Sequence, residues 1–162
     1  MKIANPLALA VAAIGLAAAT TVQAQTPPPY GLPISLENAK KCLAAAEAES
    51  RKNNFFMAIH VLDSGGNGVA AVRMDGTQIA SYEIARQKAW SAVAYRRPTK
   101  AFEDVLAKGG DGLRVLRLEG AIPVEGGVTI VADGRIIGAV GASGGTAQQD
   151  GIVAAACLAA LK

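Results

Sequence analysis

Two hydrophobic rhythms alternate along this chain. Leu36, Ala39, Leu43 and Ala46 recur at helical spacing, while Lys40, Lys41, Glu47 and Arg51 fall off that stripe. Ser35 precedes them, and its hydroxyl can accept from a free N–H of a first turn, so the pattern predicts a helix over residues 35–53. Residues 56–63 read as a strand, 64–68 as a turn and 69–74 as the antiparallel return. A second helix is predicted over residues 78–95, with Ile79, Tyr82, Ala85, Ala89 and Val93 as its inner face. Pro98 breaks it, because proline lacks the N–H that a helix interior needs. Residues 99–108 continue as a short helix, and Gly109, Gly110 and Gly112 form a flexible loop. Residues 113–122 fit neither rhythm, and a short strand is expected near their end.

The densest pattern lies between Glu119 and Asp150. Val128, Ile130 and Ala132 alternate with Thr129, Val131 and Asp133, and Asp133-Gly134 then offers the residues of a two-residue type I′ turn. Ile136 to Val140 is apolar on both faces, as a central strand would be. Gly126-Gly127 precedes this hairpin, and Gly141 with Gly144-Gly145 follows it. Glycine at a strand end lets another backbone or a ligand come close. Gly144-Gly145-Thr146 opens onto a closing helix over residues 148–161, whose first N–H groups are suited to an anion. Strands thus come in hairpins between helices. The chain belongs to the α/β class, of the α+β type, with a mainly antiparallel sheet and packed helices.

The first residues do not follow the fold. Lys2, the apolar run from Leu7 to Ala19 and Val22-Gln23-Ala24 form the three regions of a secretory signal, with cleavage expected after Ala24. An uncleaved anchor is the alternative. Against it stand the shortness of the run and Thr20, Thr21 and Gln23 directly behind it. Export then implies a periplasmic or secreted protein without stable membrane insertion. Residues 25–34 form a Pro-rich leader whose three successive prolines favour extended backbone. It reads as a flexible arm, or as a strand-like arm lying on a neighbouring subunit. Residues 35–162 remain as one domain of ordinary size. The signal carries Lys2 alone, so the domain keeps a small positive balance, too small to argue for nucleic acid.

Few residues offer chemistry. Cys42 and Cys157 lie in the first and last helices. An even count in an oxidising compartment suggests a disulfide, worth about 4–5 kcal/mol for so long a loop; two buried thiols that never meet are the alternative. His60, the single histidine, stands among apolar neighbours in the first strand. That is more often the setting of a satisfied core or interface histidine, and His60 is also the candidate for an axial haem ligand. Met57, Met74, Tyr82 and Tyr95 are other ligand types within the domain. Arg73 beside Asp75 and Gly76 could pair with Asp75 or Glu83, or grip a carboxylate in bidentate fashion. Arg96, Arg97 and Lys100 form a basic cluster, which reads as a solvated face or as a partner for acidic groups of a ligand. No nucleophile–base pair, G-x-S-x-G, GxGxxG or P-loop is present.

PVEGG, a strand, DG, IIGAVGASGG and QQD, read in that order, resemble the C-terminal signature of the GlcG/HbpS-like haem-binding family, which is similar to the PduO C-terminal domain. VLDSGGNGVAAVRMDG, SYEIARQKAW and RRPTKAF extend the resemblance over nearly the whole chain after the leader. The resemblance implies a five-stranded sheet in a profilin- or PAS-like layout, haem as cofactor and a homo-oligomer. It also implies an exported haem- or small-molecule-binding protein; the alternative is an accessory or weakly catalytic role in haem degradation or in oxidation of small hydroxy acids or alcohols. The expected pocket lies where Arg73, Asp75 and Gly76 meet Gly126, Gly127, Gly144 and Gly145, with an anionic guest and with Arg96 and Arg97 nearby.

Overall fold

A computed structural model describes residues 26–162. The expected signal peptide, residues 1–24, lies outside the described residues. The elements run α1 (Leu36–Lys52), β1 (Ala58–Asp63), β2 (Gly68–Arg73), α2 (Ile79–Tyr95), α3 (Lys100–Ala107), a 3-10 helix (Gly110–Arg117), β3 (Gly127–Ala132), β4 (Arg135–Ser143) and α4 (Ala147–Ala159). Local chemistry sets several of these ends. Ser35 caps α1 by accepting from Asn38 N–H at 3.2 Å. Thr146 and Gln149 cap α4 reciprocally, each side chain accepting from the other's backbone N–H. Asp133 and Gly134 both take positive φ, as the tight β3–β4 turn demands.

The four strands pair antiparallel in the order β2-β1-β4-β3. The resemblance implied five strands, with the extra one expected within residues 113–122. Those residues form the 3-10 helix and an irregular stretch instead. Gly109 and Gly110, both at positive φ, turn the chain back, and Gly112 sits so close to the Val105 carbonyl that a Cβ would collide. The segment therefore packs on α3, with Val115 buried and Leu113, Leu116 and Leu118 exposed.

Helices cover both faces of the sheet. On one face α1 contributes Ala39, Cys42 and Ala46, and α4 contributes Val153, Ala154 and Cys157, against Ile59, Val61, Val140 and Ala142. Small residues let the two helices approach closely: the Cα atoms of Cys42 and Cys157 are 4.1 Å apart and a disulfide joins them. On the other face α2 lies on β1, β3 and β4. Gly141 and Gly127 are the reason it lies so near. A Cβ at either would strike helix backbone, at Ala85 and Lys88 respectively.

That close approach turns α2 away from its expected orientation. Ile79 is 87% exposed and Tyr82 44%, although both were assigned to the inner face. The buried residues are Ser81, Ala85, Lys88, Ala89, Ser91, Ala92 and Val93. A glycine-lined sheet accepts alanine and serine at contact distance and has no room for Ile or Tyr. The buried polar groups find partners: Ser143 Oγ bonds Ser81 Oγ at 3.3 Å, and Ser91 Oγ accepts from Ile122 N–H at 3.1 Å.

The end of the leader is not a free arm. β1 leaves β4 at Asp63–Gly138, and the leader takes over the vacated edge. Gly31 N–H donates to the Ile136 carbonyl, and Ile136 N–H to the Pro29 carbonyl, both at 2.8 Å. Tyr30 O–H donates to the Val93 carbonyl at 2.9 Å, so the leader also ties α2 to the sheet.

Candidate functional site

The two glycine clusters that bracket the β3–β4 hairpin do converge, and they converge on a buried ion pair. Lys88 Nζ on α2 donates to Asp150 Oδ2 on α4 at 2.6 Å and to the Glu125 carbonyl at 2.7 Å. The two side chains are 1% and 4% exposed. Gly145 N–H donates to the other carboxylate oxygen, Oδ1, at 3.0 Å. Burial pushes the Asp150 carboxyl above the usual carboxylate range, while Lys88 pulls it back. A Cβ on Gly126 would lie 2.7 Å from the Ala142 carbonyl and 3.0 Å from Lys88 Nζ. Gly144 likewise abuts Phe56 and Met57 backbone. The close approach that these glycines permit is made by the protein's own chain. Lys88 went unnoticed in the sequence, where its signal is a charge at helical spacing within the small-residue stripe of Ala85, Ala89 and Ala92.

Arg73, Asp75 and Gly76 are exposed at the end of β2. Gly76 and Gly144 meet through Phe56, one at its ring and one at its carbonyl. Among the described residues Arg73 forms no ion pair, and Glu83 is taken by Arg86 at 2.6 Å. Ala58 pairs with Arg73 and His60 with Ala71, so strand alternation puts Arg73 on the same face of the sheet as His60. Among the described residues α2 rests mainly on β4, β1 and β3, which leaves β2 little covered on that face.

This strip becomes a cleft of about 280 Å³. Gly68, Ala70 and Ala71 line it from β2, Tyr82 and Arg86 from α2, and His60 from β1. His60 is 6% exposed, and its Nε2 is buried without a hydrogen-bond partner. The Tyr82 ring stands edge-on against the imidazole, with centroids 4.3 Å apart. Burial lowers the His60 pKa, the Arg86 guanidinium lowers it further and Glu83 opposes them. The imidazole is therefore neutral at neutral pH, and a neutral imidazole carries a lone pair on one of its two nitrogens. An orphaned buried nitrogen is rare in a settled core, which satisfies its polar groups. Small floor residues suit a flat guest, and Arg86 suits a carboxylate.

The other named residues fall elsewhere. Arg96 and Arg97 line a separate cleft with Thr26, Pro27 and Pro28 of the leader. Arg96 lies over the Tyr30 ring and Arg97 over Phe102. Met57 and Met74 are core residues, and Tyr95 O–H donates to the Glu119 carbonyl at 2.6 Å. Arg86 was missed in the sequence. Its signal is the spacing of Tyr82, Arg86 and Trp90, four residues apart, which makes one ridge on a helix.

A family model described as haem degrading protein HbpS-like matches residues 34–159. The chain is 42% identical over 111 residues to GlcG of Escherichia coli K12, covering 68% of this chain and 81% of that protein. Among solved structures it resembles HbpS, with a TM-score of 0.73 and 29% identity over 87% of this chain and 99% of that one. It also resembles the PduOC–haem complex, with a TM-score of 0.72 and 28% identity over 80% of this chain and 95% of that one. The antiparallel α+β fold and this match over most of the domain agree: the chain belongs to the HbpS-like haem-degrading protein family.

Proposed function

We propose that this is an exported haem-binding protein in which His60 is the ligand to iron. The observation that carries the reading is the buried, unpartnered Nε2 of His60 in a cleft floored by Gly68 and Ala71. A solved relative holding haem supports the choice of guest. Arg86 at the cleft wall and Arg73 on the same sheet face offer guanidinium groups to the anionic propionates. The neutral imidazole supplies the iron ligand, and Tyr82 shields it from water. Bound haem would bring a Lewis-acidic, redox-active iron to this face. Export rests on the N-terminal pattern, and the Cys42–Cys157 disulfide accords with an oxidising compartment. A homo-oligomer is part of the same proposal, supported by exposed Leu113, Leu116, Leu118 and Val124.

Haem titration followed by Soret absorbance tests it. Wild-type protein should give a saturable Soret band, and His60→Ala should lose or shift that band while keeping its circular dichroism. Arg86→Ala should weaken binding by about 1.5–3 kcal/mol, the worth of a charge-assisted contact. An unchanged spectrum and affinity in His60→Ala would refute the site. Turnover of bound haem is a second reading, favoured by the family's description; lasting loss of the Soret band with a reductant and dioxygen together, and not with the reductant alone, would establish it.

A further inference from the structure

A second cleft, of about 450 Å³, lies on the far side of Arg86. Its residues are Arg86, Gln87 and Trp90 of α2, with Glu119, Gly120 and Ile122 of the chain that follows the 3-10 helix. The volume falls within the range of small-molecule sites. Trp90 is 36% exposed, which is unusual for a side chain held so firmly. Its six-membered ring lies against Gly120 and its pyrrole edge against Gly66, where a Cβ would stand 3.2 Å from Cδ1. Both glycines take positive φ, so two backbone turns close around the indole and fix it.

The polar groups around this indole are of two kinds. Glu83 takes Nε and Nη2 of Arg86, which leaves Nη1 to donate outward. Gln87 spends its amide N–H on Glu83 at 3.0 Å, which leaves its carbonyl as an acceptor. Glu119 forms no ion pair among the described residues, and its carboxylate is a second acceptor. Arg86, Glu83 and Glu119 together leave no net positive charge, so this cleft does not select an anion. A fixed aromatic surface with one donor and two acceptors at its rim matches a flat ring that carries adjacent N–H and C=O groups.

We propose that the Trp90 cleft binds a planar heterocycle of the guanine or pterin type, by stacking on Trp90. Ring N–H groups donate to the Glu119 carboxylate, and the ring carbonyl accepts from Arg86. The site does not use His60, although it shares Arg86 with the His60 cleft.

Trp90 is the single tryptophan of the chain, so its fluorescence reports this cleft directly. Guanosine should quench it saturably. Adenosine, which lacks the N–H next to a carbonyl, should bind about tenfold more weakly, the equivalent of one charge-assisted hydrogen bond. Glu119→Gln should abolish that preference; the residue is exposed and only its backbone carbonyl is bonded, to Tyr95, so the fold is kept. His60→Ala should leave guanosine quenching unchanged, which separates this site from the haem site. Absence of saturable quenching by guanosine would overturn the proposal. So would equal affinity for the two nucleosides, or a preference that survives Glu119→Gln.

Discussion

Lys88→Met would leave the Asp150 carboxylate buried with its cation gone. Gly145 N–H would still donate to it, but the 2.6 Å contact with Nζ would be lost, and the Glu125 carbonyl would lose its 2.7 Å donor. Removing one partner of a buried pair costs about 3–5 kcal/mol, because the remaining charge stays desolvated. A domain of this size holds about 5–15 kcal/mol in all. With a urea slope of about 2 kcal/mol per molar, the midpoint should fall by about 2 M. Asp150→Leu should fall comparably, since Lys88 would then keep its charge with only the Glu125 carbonyl. The double variant Lys88→Met/Asp150→Leu leaves no buried charge and should recover most of the loss, because a buried pair exchanged for apolar groups is close to neutral. Urea unfolding followed by circular dichroism, with the disulfide intact in all four proteins, measures this cycle. A midpoint shift below about 0.5 M for Lys88→Met, or a double variant as unstable as the two single losses added, would refute the reasoning. The pair would then be worth little, and the glycines around it would need another explanation.

The Cys42–Cys157 disulfide closes a sequence separation of 115 residues, so its loss should cost about 4–5 kcal/mol through the entropy of the unfolded chain. Urea midpoints of the wild type and of Cys42→Ala/Cys157→Ala check this, and thiol labelling of denatured, unreduced protein should find no free cysteine. His60 links stability to pH. Its folded-state pKa lies below the unfolded value of about 6.5, so its contribution is complete above that pH and declines as pH falls from there to the folded-state value. Between about pH 7.5 and 5, His60→Phe should therefore lose less stability than the wild type; parallel curves in urea titrations at the two pH values would contradict the buried, neutral imidazole.

Some of this molecule was legible before any fold was seen. Ser35 as a cap, Asp133-Gly134 as a tight turn, Pro98 as a helix breaker and hairpin-linked antiparallel strands all depend on residues close in sequence. Local backbone sterics and first-turn hydrogen bonds decide them, so neighbours suffice. The PVEGG-to-QQD signature carried the family for the same reason: motif order survives without coordinates.

Tertiary structure decided the rest. Periodicity marks which helical residues tend to be buried, but not what they meet. Gly127 and Gly141, 32 and 46 residues beyond the end of α2, draw its alanine and serine face inward and leave Ile79 and Tyr82 outside. Residues 113–122 contain enough apolar side chains for a strand, yet Gly109, Gly110 and Gly112 fold them onto α3. The leader pairs with β4 only because β1 ends early. Lys88 and Asp150 stand 62 positions apart, and nothing near either one names the other. His60 was visible as a residue type; that its Nε2 is buried and unpartnered depends on Tyr82 lying across it and on β2 being little covered. Such contacts arise between surfaces that meet only when helices pack on the sheet, where backbone distance and buried charge, rather than local pattern, set the free energy.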